Sequence, residues 1–332
     1  MLGGEWTERA VARRVTQAVG PRGPRAWVLP LVRSVRGSYA EAPVDRPLEL
    51  AGFLAAQPPY GDAVAKRVRV IRHRPAAAGM ARSRWPAPAL PDVGALAHWL
   101  DLTPPELAWL ADARSLDRRA PDQRLVHYRW RTVATRSGGT RVLGAPKPLL
   151  RERQRRVLRG ILAHVPVHAA CHGFVRGHSV ATYAAPHAGR PQVLHLDLEG
   201  FFASIPAARV YGVFRLLGYP EQVAHTLTAL VTTVVPLGVW QVVPAPSDPR
   251  LLEAHWRLGR RLAAPHLPQG APTSPAVANL VAHALDRRLA GLAASFGAAY
   301  TRYADDLAFS LARGAGALAR PSARSWSTRG SG

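Results

Sequence analysis

The chain has 332 residues, which is long enough for two or three domains with buried cores. Its 48% hydrophobic content argues against an intrinsically disordered protein, and its single cysteine, Cys171, excludes a disulfide framework and a cysteine-based zinc module. The 44 Lys and Arg residues against 21 Asp and Glu residues leave a formal net charge of +23, which predicts a polyanionic partner such as nucleic acid. The low cysteine content favours the reducing cytoplasm.

The first third of the chain is rich in arginine, proline and alanine, with weak helical periodicity near residues 5–19 and 48–56. We therefore predict that residues 1–92 form an N-terminal extension that is partly helical or disordered. Within it, residues 72–91 are predicted to be a linker. Two short helices are predicted within residues 93–113.

The middle of the chain begins with a predicted β-hairpin. Residues 127–134 and 140–143 have strand-like composition, and the glycines between them favour a turn. Residues 148–164 repeat apolar side chains at a period near 3.6, which predicts a helix whose other faces are crowded with arginine. The longest uncharged run, residues 226–247, contains threonine, proline and glycine, so we predict a buried helix and a loop there and no membrane partner.

The remaining elements alternate between strands and helices, which indicates an α+β fold. We predict a strand at 193–198, helices near 207–217, 221–234 and 274–294, and a hairpin around Asp305. Residues 235–266 are predicted to be a proline-rich interruption. Thr273 or Ser274 is expected to cap the helix that follows.

Three sequence blocks carry candidate chemistry. They read LHLDLEGFFASI at residues 194–205, LPQGAPTSP at 267–275 and YTRYADDLAFS at 300–310. Asp197 ends a predicted strand, and Asp305 and Asp306 lie at the tip of a predicted hairpin. Two adjacent aspartates in a turn usually do no more than form a solvated turn. The three blocks together, however, indicate a common site.

These blocks, in this order, resemble motifs A, B and C of reverse transcriptases, and the resemblance covers about residues 93–310. It implies a right-hand polymerase with fingers at residues 93–190 and a palm with an antiparallel sheet at 191–310. The implied activity is RNA-directed DNA polymerisation, in which a nucleotide is transferred from a dNTP to a primer hydroxyl on an RNA template.

The resemblance implies two Mg²⁺ ions, because nucleotidyl transfer uses two metal ions and Mg²⁺ prefers oxygen ligands. Asp197, Asp305 and Asp306 are the implied ligands, and the backbone carbonyl of Leu198 is a further one. Asp306 is expected to be the weakest ligand, because the second acid of such pairs often does not touch the metal.

The resemblance also implies a contact with the sugar of the dNTP. Phe202, five residues after Asp197, occupies the position that lies under this sugar in the family. A bulky ring there would exclude a ribose 2′-hydroxyl. Phe201 is expected to be a core residue instead, because neighbouring residues of an extended segment point to opposite faces.

Four further residues are expected to contact the dNTP or the template. Gln269 would reach the nucleotide or the template strand, and Gly270 would permit a close approach of the backbone. Arg136 and Arg141 resemble the basic hairpin of the fingers that folds over the triphosphate, where their charge would offset charge on the leaving pyrophosphate. An ordinary surface position is the alternative for both arginines.

The subtype is indicated by HGFVRGHS at residues 172–179, which resembles a block of retron and group II intron enzymes. Retron enzymes carry Asn-Ala-x-x-His directly afterwards, and here Ala184 and His187 match that signature while Tyr183 replaces the asparagine. A retron-type enzyme is therefore favoured. It would use a structured non-coding RNA as template and primer, start from a 2′-hydroxyl, and make a branched RNA–DNA hybrid. Many such systems act in phage defence, with an effector protein that the sequence does not identify.

Residues 311–332 are of low complexity. The family continues at this point with a helical thumb, so we predict a chain truncated before the thumb that binds structured RNA but extends a primer poorly. Two alternatives remain: a catalytically silent RNA-binding remnant of a reverse transcriptase, and a group II intron-like reverse transcriptase.

Overall fold

The structure is a computed structural model, and it describes residues 1–19, 25–65, 67–72, 79–120, 124–135 and 139–311. The predictions for Arg136 and for the low-complexity tail therefore concern residues outside these ranges, apart from Leu311.

Two compact units divide the chain. One unit contains Met1–Leu107 and Phe214–Leu227, and the other contains Ala108–Val213 and the described residues from Thr228 onward. The four segments expected from the sequence, with bounds at residues 92, 190 and 310, stay a prediction.

The first unit is helical. It contains α1 (Glu8–Val19), α2 (Val28–Ser38), α3 (Pro47–Ala55), α4 (Pro58–Ala65), α5 (Val93–Trp99) and the beginning of α6 (Pro104–Ala111). Helices α1, α2 and α4 share a core around Val11 and Leu31. The Glu221 carboxylate accepts from the backbone N–H groups of Leu48 at 2.7 Å and Glu49 at 2.9 Å, so it satisfies free donors in the first turn of α3. The predicted helices are confirmed as α1, α3, α5 and α6, whereas α2 and α4 were not predicted.

The second unit begins with the predicted hairpin, which is confirmed. Strands β1 (Tyr128–Ala134) and β2 (Thr140–Pro146) pair in antiparallel register. Helix α7 (Pro148–Gly160) follows and ends earlier than predicted, with a 3-10 turn at Leu162–His164 continuing it. The buried side chain of Gln154 donates to the Tyr128 hydroxyl at 3.0 Å and to the Leu230 carbonyl at 2.8 Å, which anchors α7.

A three-stranded antiparallel sheet lies in the same unit. Its strands are β3 (Gln192–Asp197), β4 (Ala299–Tyr303) and β5 (Asp306–Leu311), in the order β3-β5-β4. Because β5 is central, Asp306 lies opposite both Asp197 of β3 and Tyr303 of β4. The end of β3 and the β4–β5 turn therefore meet at one end of the sheet. The predicted α+β fold with an antiparallel sheet and a helical N-terminal region is confirmed.

The remaining helices are α8 (Val180–Ala184), α9 (Ala207–Leu216), α10 (Glu221–Val231), α11 (Leu237–Gln241), α12 (Pro249–Leu262) and α13 (Ser274–Ser295). The prediction that residues 235–266 only interrupt the fold is wrong, because α11 and α12 lie there. Asp248 caps α12 by accepting from the Arg250 N–H at 2.9 Å, and a proline occupies the first turn. The predicted cap of α13 is also wrong, since the Ser274 hydroxyl donates to the Pro268 carbonyl at 2.7 Å and no side chain caps the helix.

Two apolar clusters support the sheet and the hairpin. Tyr300, Leu307 and Phe309 of the sheet pack with Ala293 of α13. A second cluster, around Val142, Val235 and Leu262, joins β2 to α12. Burying each large aliphatic or aromatic side chain contributes about 1.5–3 kcal/mol, so these contacts hold the strand ends in place. Within the described ranges, no helix is both long enough and apolar enough to cross a bilayer.

Candidate active site

Three acidic residues lie at one end of the sheet. Asp197 ends β3, Asp305 lies in the β4–β5 turn, and Asp306 begins β5. The Leu198 N–H donates to the Asp305 carbonyl at 3.0 Å, which ties the two backbone segments together. Partial burial raises the pKa of Asp197, and the negative charges of Asp305 and Asp306 raise it further. This accumulated negative charge favours a cation.

The two acids of the turn have different surroundings. Asp305 lines a pocket together with Asp197. The Asp306 carboxylate instead lies near His195, with 3.4 Å between its Oδ1 and the histidine Nε2. Sequence reasoning missed His195, although its position two residues before Asp197 places it on the same face of β3.

The pocket has a volume of about 600 Å³, within the range of small-molecule sites. Five residues predicted from the sequence line it: Arg141, Asp197, Phe202, Gln269 and Asp305. Helix α12 contributes a wall that was not predicted, which includes Ala254, His255, Leu258 and Arg261. The Arg261 guanidinium donates to the Glu199 carbonyl at 2.9 Å and so joins this wall to the segment after Asp197.

The carboxylates fit a divalent cation that keeps part of its own coordination shell. In the part of the chain that the structure describes, no three His, Cys, Asp or Glu side chains form a complete metal-binding group. A divalent cation can be held by one or two carboxylates together with water and substrate phosphates, and Asp197 and Asp305 line the same pocket. The role of the Leu198 carbonyl as a ligand stays a prediction.

The two neighbouring phenylalanines differ in burial, although both border the pocket, so their predicted separate roles stay a prediction. Phe201 is buried, and the Arg302 guanidinium lies 5.8 Å from its ring centroid. Phe202 is half-buried and borders the pocket. The backbone here forms a turn and not an extended strand, so strand alternation is not what separates the two rings.

The Gln269–Gly270 segment lies against the hairpin. The Gln269 carbonyl accepts from the Gly144 N–H at 2.8 Å. Gly270 has φ of +123°, and a Cβ atom there would lie 3.0 Å from the Gly144 carbonyl oxygen. The close approach that glycine permits is therefore to β2, whose Arg141 lines the same pocket.

A fully buried arginine supports the turn that carries Asp305. Arg302 uses all five of its N–H donors: two on the Asp286 carboxylate at 2.7 and 2.8 Å, one on the Asn279 side chain at 3.0 Å, one on the Ala304 carbonyl at 2.9 Å and one on the Cys171 sulfur at 3.1 Å. Ala304 adopts φ of +57°, an unfavourable conformation that this bond helps to hold. Sequence reasoning missed the network because its partners are far apart in the chain.

The residues of the retron-type signature lie outside the pocket lining. Ala184 is exposed at the end of α8, whereas His187 is buried. The His187 ring is hydrogen-bonded on both sides, with 2.7 Å from Nδ1 to the Ser310 hydroxyl and 2.7 Å from Nε2 to the Thr301 hydroxyl. Burial and then the charge of Arg190 lower its pKa. His187 therefore packs the signature segment onto β4 and β5.

Comparison with known families agrees with this geometry. The family described as "Reverse transcriptase (RNA-dependent DNA polymerase)" matches residues 133–318, more than half of the chain. The chain belongs to the reverse transcriptase family. All three sequence blocks and the carboxylate cluster lie inside the matched region of this reverse transcriptase, so the family prediction is confirmed.

Several curated relatives are retron enzymes. The chain is 47% identical to the Retron Mx65 reverse transcriptase of Myxococcus xanthus over 57% of its own length and 42% of the relative. It is 41% identical to the Retron Mx162 reverse transcriptase of the same organism, over 65% of the chain and 41% of that relative. The Retron Ec86 reverse transcriptase of Escherichia coli is 36% identical to the chain, over 51% of the chain and 44% of that relative. These relatives confirm the retron type, and the chain spans less than half of the length of each.

Proposed function

We propose that this chain catalyses RNA-directed DNA synthesis of the retron type. The pocket in which Asp197, Asp305, Phe202 and Arg141 meet carries the proposal. In the reaction, a primer hydroxyl oxygen bonds to the α-phosphorus of a dNTP, the bond to pyrophosphate breaks, and the hydroxyl proton is released. A site for this chemistry needs negative ligands on one side and a basic group near the triphosphate on the other.

Two Mg²⁺ ions are the proposed cofactors, with Asp197 and Asp305 as their main protein ligands. Asp306 and the Leu198 carbonyl are proposed as further contacts. When bound, the ions would lower the pKa of the primer hydroxyl and neutralise the triphosphate. Burial, followed by repulsion from Asp305 and Asp306, raises the pKa of Asp197, and the repulsion supports this assignment because a cation would relieve it.

The other pocket residues are proposed to position the dNTP. Phe202 would lie against the sugar and exclude a 2′-hydroxyl, while Gln269 and Gly270 would support the nucleotide or the template. Arg141, whose positive charge already acts on Asp197, would offset the negative charge of the leaving pyrophosphate. Arg136 is proposed to assist it.

The retron relatives and the matched signature at Ala184 and His187 support a proposal for the partners. We propose a structured non-coding RNA as template and primer, dNTPs as substrates, and a branched RNA–DNA product that starts at a 2′-hydroxyl. A role in phage defence in the cytoplasm, with an effector protein as partner, belongs to the same proposal.

The test is dNTP incorporation on an RNA template by the purified full chain and two variants. Asp305→Asn removes one proposed ligand and should lower incorporation by at least roughly 100-fold while RNA binding is kept. Glu152→Gln is the matched control, since this carboxylate is exposed on α7 away from the pocket lining. It should retain full incorporation.

A second measurement separates metal binding from turnover. Mg²⁺ should raise the melting temperature of the wild type and of Glu152→Gln, and raise it less in Asp305→Asn, because ligand binding to the folded state stabilises it. Unchanged incorporation by Asp305→Asn would contradict the proposal. RNA binding by the wild type with neither incorporation nor a Mg²⁺ shift would identify the catalytically silent alternative, and products lacking the 2′-linked branch would favour a group II intron-like enzyme.

A further inference from the structure

An exposed turn carries Phe202 along the edge of the pocket. This Phe202 turn comprises residues 198–205, and backbone hydrogen bonds tie its ends to other elements: from the Leu198 N–H to the Asp305 carbonyl at 3.0 Å and from the Leu267 N–H to the Ile205 carbonyl at 3.3 Å. Glu199 and Gly200, in its middle, are exposed. Exposed backbone with few buried contacts opens most easily, so the position of the Phe202 ring depends on what holds this middle part.

Internal hydrogen bonds make the Phe202 turn move as one piece. The Ser204 N–H donates to the Gly200 carbonyl at 2.8 Å, and the Ile205 N–H donates to the Phe202 carbonyl at 3.2 Å. The Ser204 hydroxyl donates to the Phe201 carbonyl at 2.7 Å. A displacement at Gly200 is therefore passed on to Phe202.

Arg261 reaches the middle of the turn from α12. Its Nη1 donates to the Glu199 carbonyl at 2.9 Å, and a hydrogen bond from a charged donor is stronger than one between neutral groups. A Cβ atom at Gly200 would lie 3.3 Å from the same Nη1, so the guanidinium also packs against the turn. Arg257 adds an ion pair with Glu199 at 3.6 Å, but both side chains are partly exposed and such pairs contribute little. Arg261 therefore supplies the main contact.

Helix α12 is a firm base for this contact. Leu262 belongs to the apolar cluster that joins β2 to α12, and Leu258 and Ala203 pack against the same cluster. On the other side of the helix, the Trp240 ring of α11 lies 4.7 Å from the His255 ring, measured between centroids. The helix that carries Arg261 is thus fixed by packing, and Ala203 brings the Phe202 turn against it.

We infer that Arg261 is a positioning residue that holds the Phe202 turn and so keeps the Phe202 ring where it excludes a ribose 2′-hydroxyl. The inference rests on the proposed polymerase function and adds to it a residue of α12 that sets how strictly the pocket separates dNTP from rNTP. A direct contact with the triphosphate is the alternative, because Arg261 also lines the pocket. The bond to Glu199 favours the positioning role, since it commits the nitrogen nearest the turn to the backbone.

The first test compares Arg261→Met with Arg260→Met, which removes the same charge from the neighbouring, exposed position of α12. The measured quantity is the ratio of rNTP to dNTP kcat/KM on an RNA template. Arg261→Met should raise this ratio by roughly 3- to 10-fold because the Phe202 ring loses its support, whereas Arg260→Met should leave it unchanged. A lost triphosphate contact or a general loss of stability would weaken both nucleotides alike, so an unchanged ratio in Arg261→Met would overturn the inference.

A double variant shows whether Arg261 acts through Phe202. In a Phe202→Ala background the ring is gone, so adding Arg261→Met should not raise the ratio further. A further rise of the same size as in the single variant would overturn the inference, because the two residues would then act independently. If melting curves show that Arg261→Met is unfolded, Arg261→Gln takes its place in every measurement.

Hydrogen exchange without any nucleotide separates this inference from the proposed function. The N–H groups of Ser204 and Ile205 close the Phe202 turn, so their exchange rates report on its opening. Arg261→Met should speed exchange within residues 198–205 by about threefold or more, and Arg260→Met should not. Equal exchange in Arg261→Met and wild type would overturn the inference. Failure of the wild type to incorporate nucleotides would instead count against the proposed function, while the exchange rates would still decide whether Arg261 holds the turn.

Discussion

At the scale of single residues, Phe202 offers the simplest test of how the pocket selects its substrate. Its half-buried ring borders the pocket that Asp197 and Asp305 line. Phe202→Ala would free the volume of a ribose 2′-hydroxyl, so we expect the ratio of rNTP to dNTP kcat/KM to rise by roughly 10- to 200-fold. Steady-state incorporation with each nucleotide measures the ratio. The same ratio in both enzymes would mean that Phe202 only packs the pocket wall.

Arg302 acts on the pocket indirectly. Its hydrogen bonds reach no pocket-lining residue, but they stabilise the turn that carries Asp305. Arg302→Met would leave Asp286 buried without its counter-charge, so we expect the free energy of unfolding to fall by about 3–5 kcal/mol. Denaturant melts measure this loss. The double variant Arg302→Met with Asp286→Leu should recover part of it, because no uncompensated charge then remains. Equal stability of Arg302→Met and wild type would contradict this account.

The alkylation rate of the Cys171 thiol gives a local measure of whether the Arg302 network is intact. The thiol is buried against Arg302, and burial raises its pKa to about 11. At pH 8 the wild type should therefore react slowly with iodoacetamide, since the thiolate is the reactive form. Faster alkylation of Arg302→Met under native conditions would show that the turn opens.

At the scale of elements, the contact between β2 and the Gln269–Gly270 segment joins two walls of the pocket. Gly270→Ala would place a Cβ atom at 3.0 Å from the Gly144 carbonyl in a backbone conformation with φ of +123°. We expect the free energy of unfolding to fall by about 1–3 kcal/mol and the KM for dNTP to rise, because Gln269 would be displaced.

Gly238 provides the control for this substitution. It lies in α11, and a Cβ atom there would meet nothing within 4 Å. Gly238→Ala should leave the KM unchanged and stabilise the protein by about 0.5–1 kcal/mol, since alanine favours helices. If both variants behave alike, the close contact at Gly270 has no energetic role.

At the scale of the whole molecule, the charge of +23 dominates the expected association with RNA. Neutralising phosphates releases counterions, so the logarithm of affinity should fall linearly with the logarithm of salt concentration, with a slope of about −0.7 for each contacted phosphate. Arg151, Arg155 and Arg159 are exposed at a spacing of four on α7 and form one face. Their replacement by glutamine should make the slope shallower. Fluorescence anisotropy at several salt concentrations measures it, and a flat plot for the wild type would refute an electrostatic basis.

The sequence by itself determined the family, the fold class and most of the local elements. Helix α13 and the β4–β5 hairpin were predictable because apolar periodicity and turn residues act over a few neighbouring positions. Asp197, Asp305 and Phe202 became candidate site residues for a similar reason, since each lies in a short block whose residues resemble a known motif.

Only the tertiary structure showed which distant residues support that site. Arg302 and Asp286 are 16 residues apart, Arg302 and Cys171 are 131 apart, and Glu221 reaches α3 from 173 positions away. Helix α12 became visible as a pocket wall only through its packing against Val142 of β2 and Val235. Such contacts arise when the chain buries apolar surface and must then pair every polar group it encloses, and local sequence patterns do not record which partners meet.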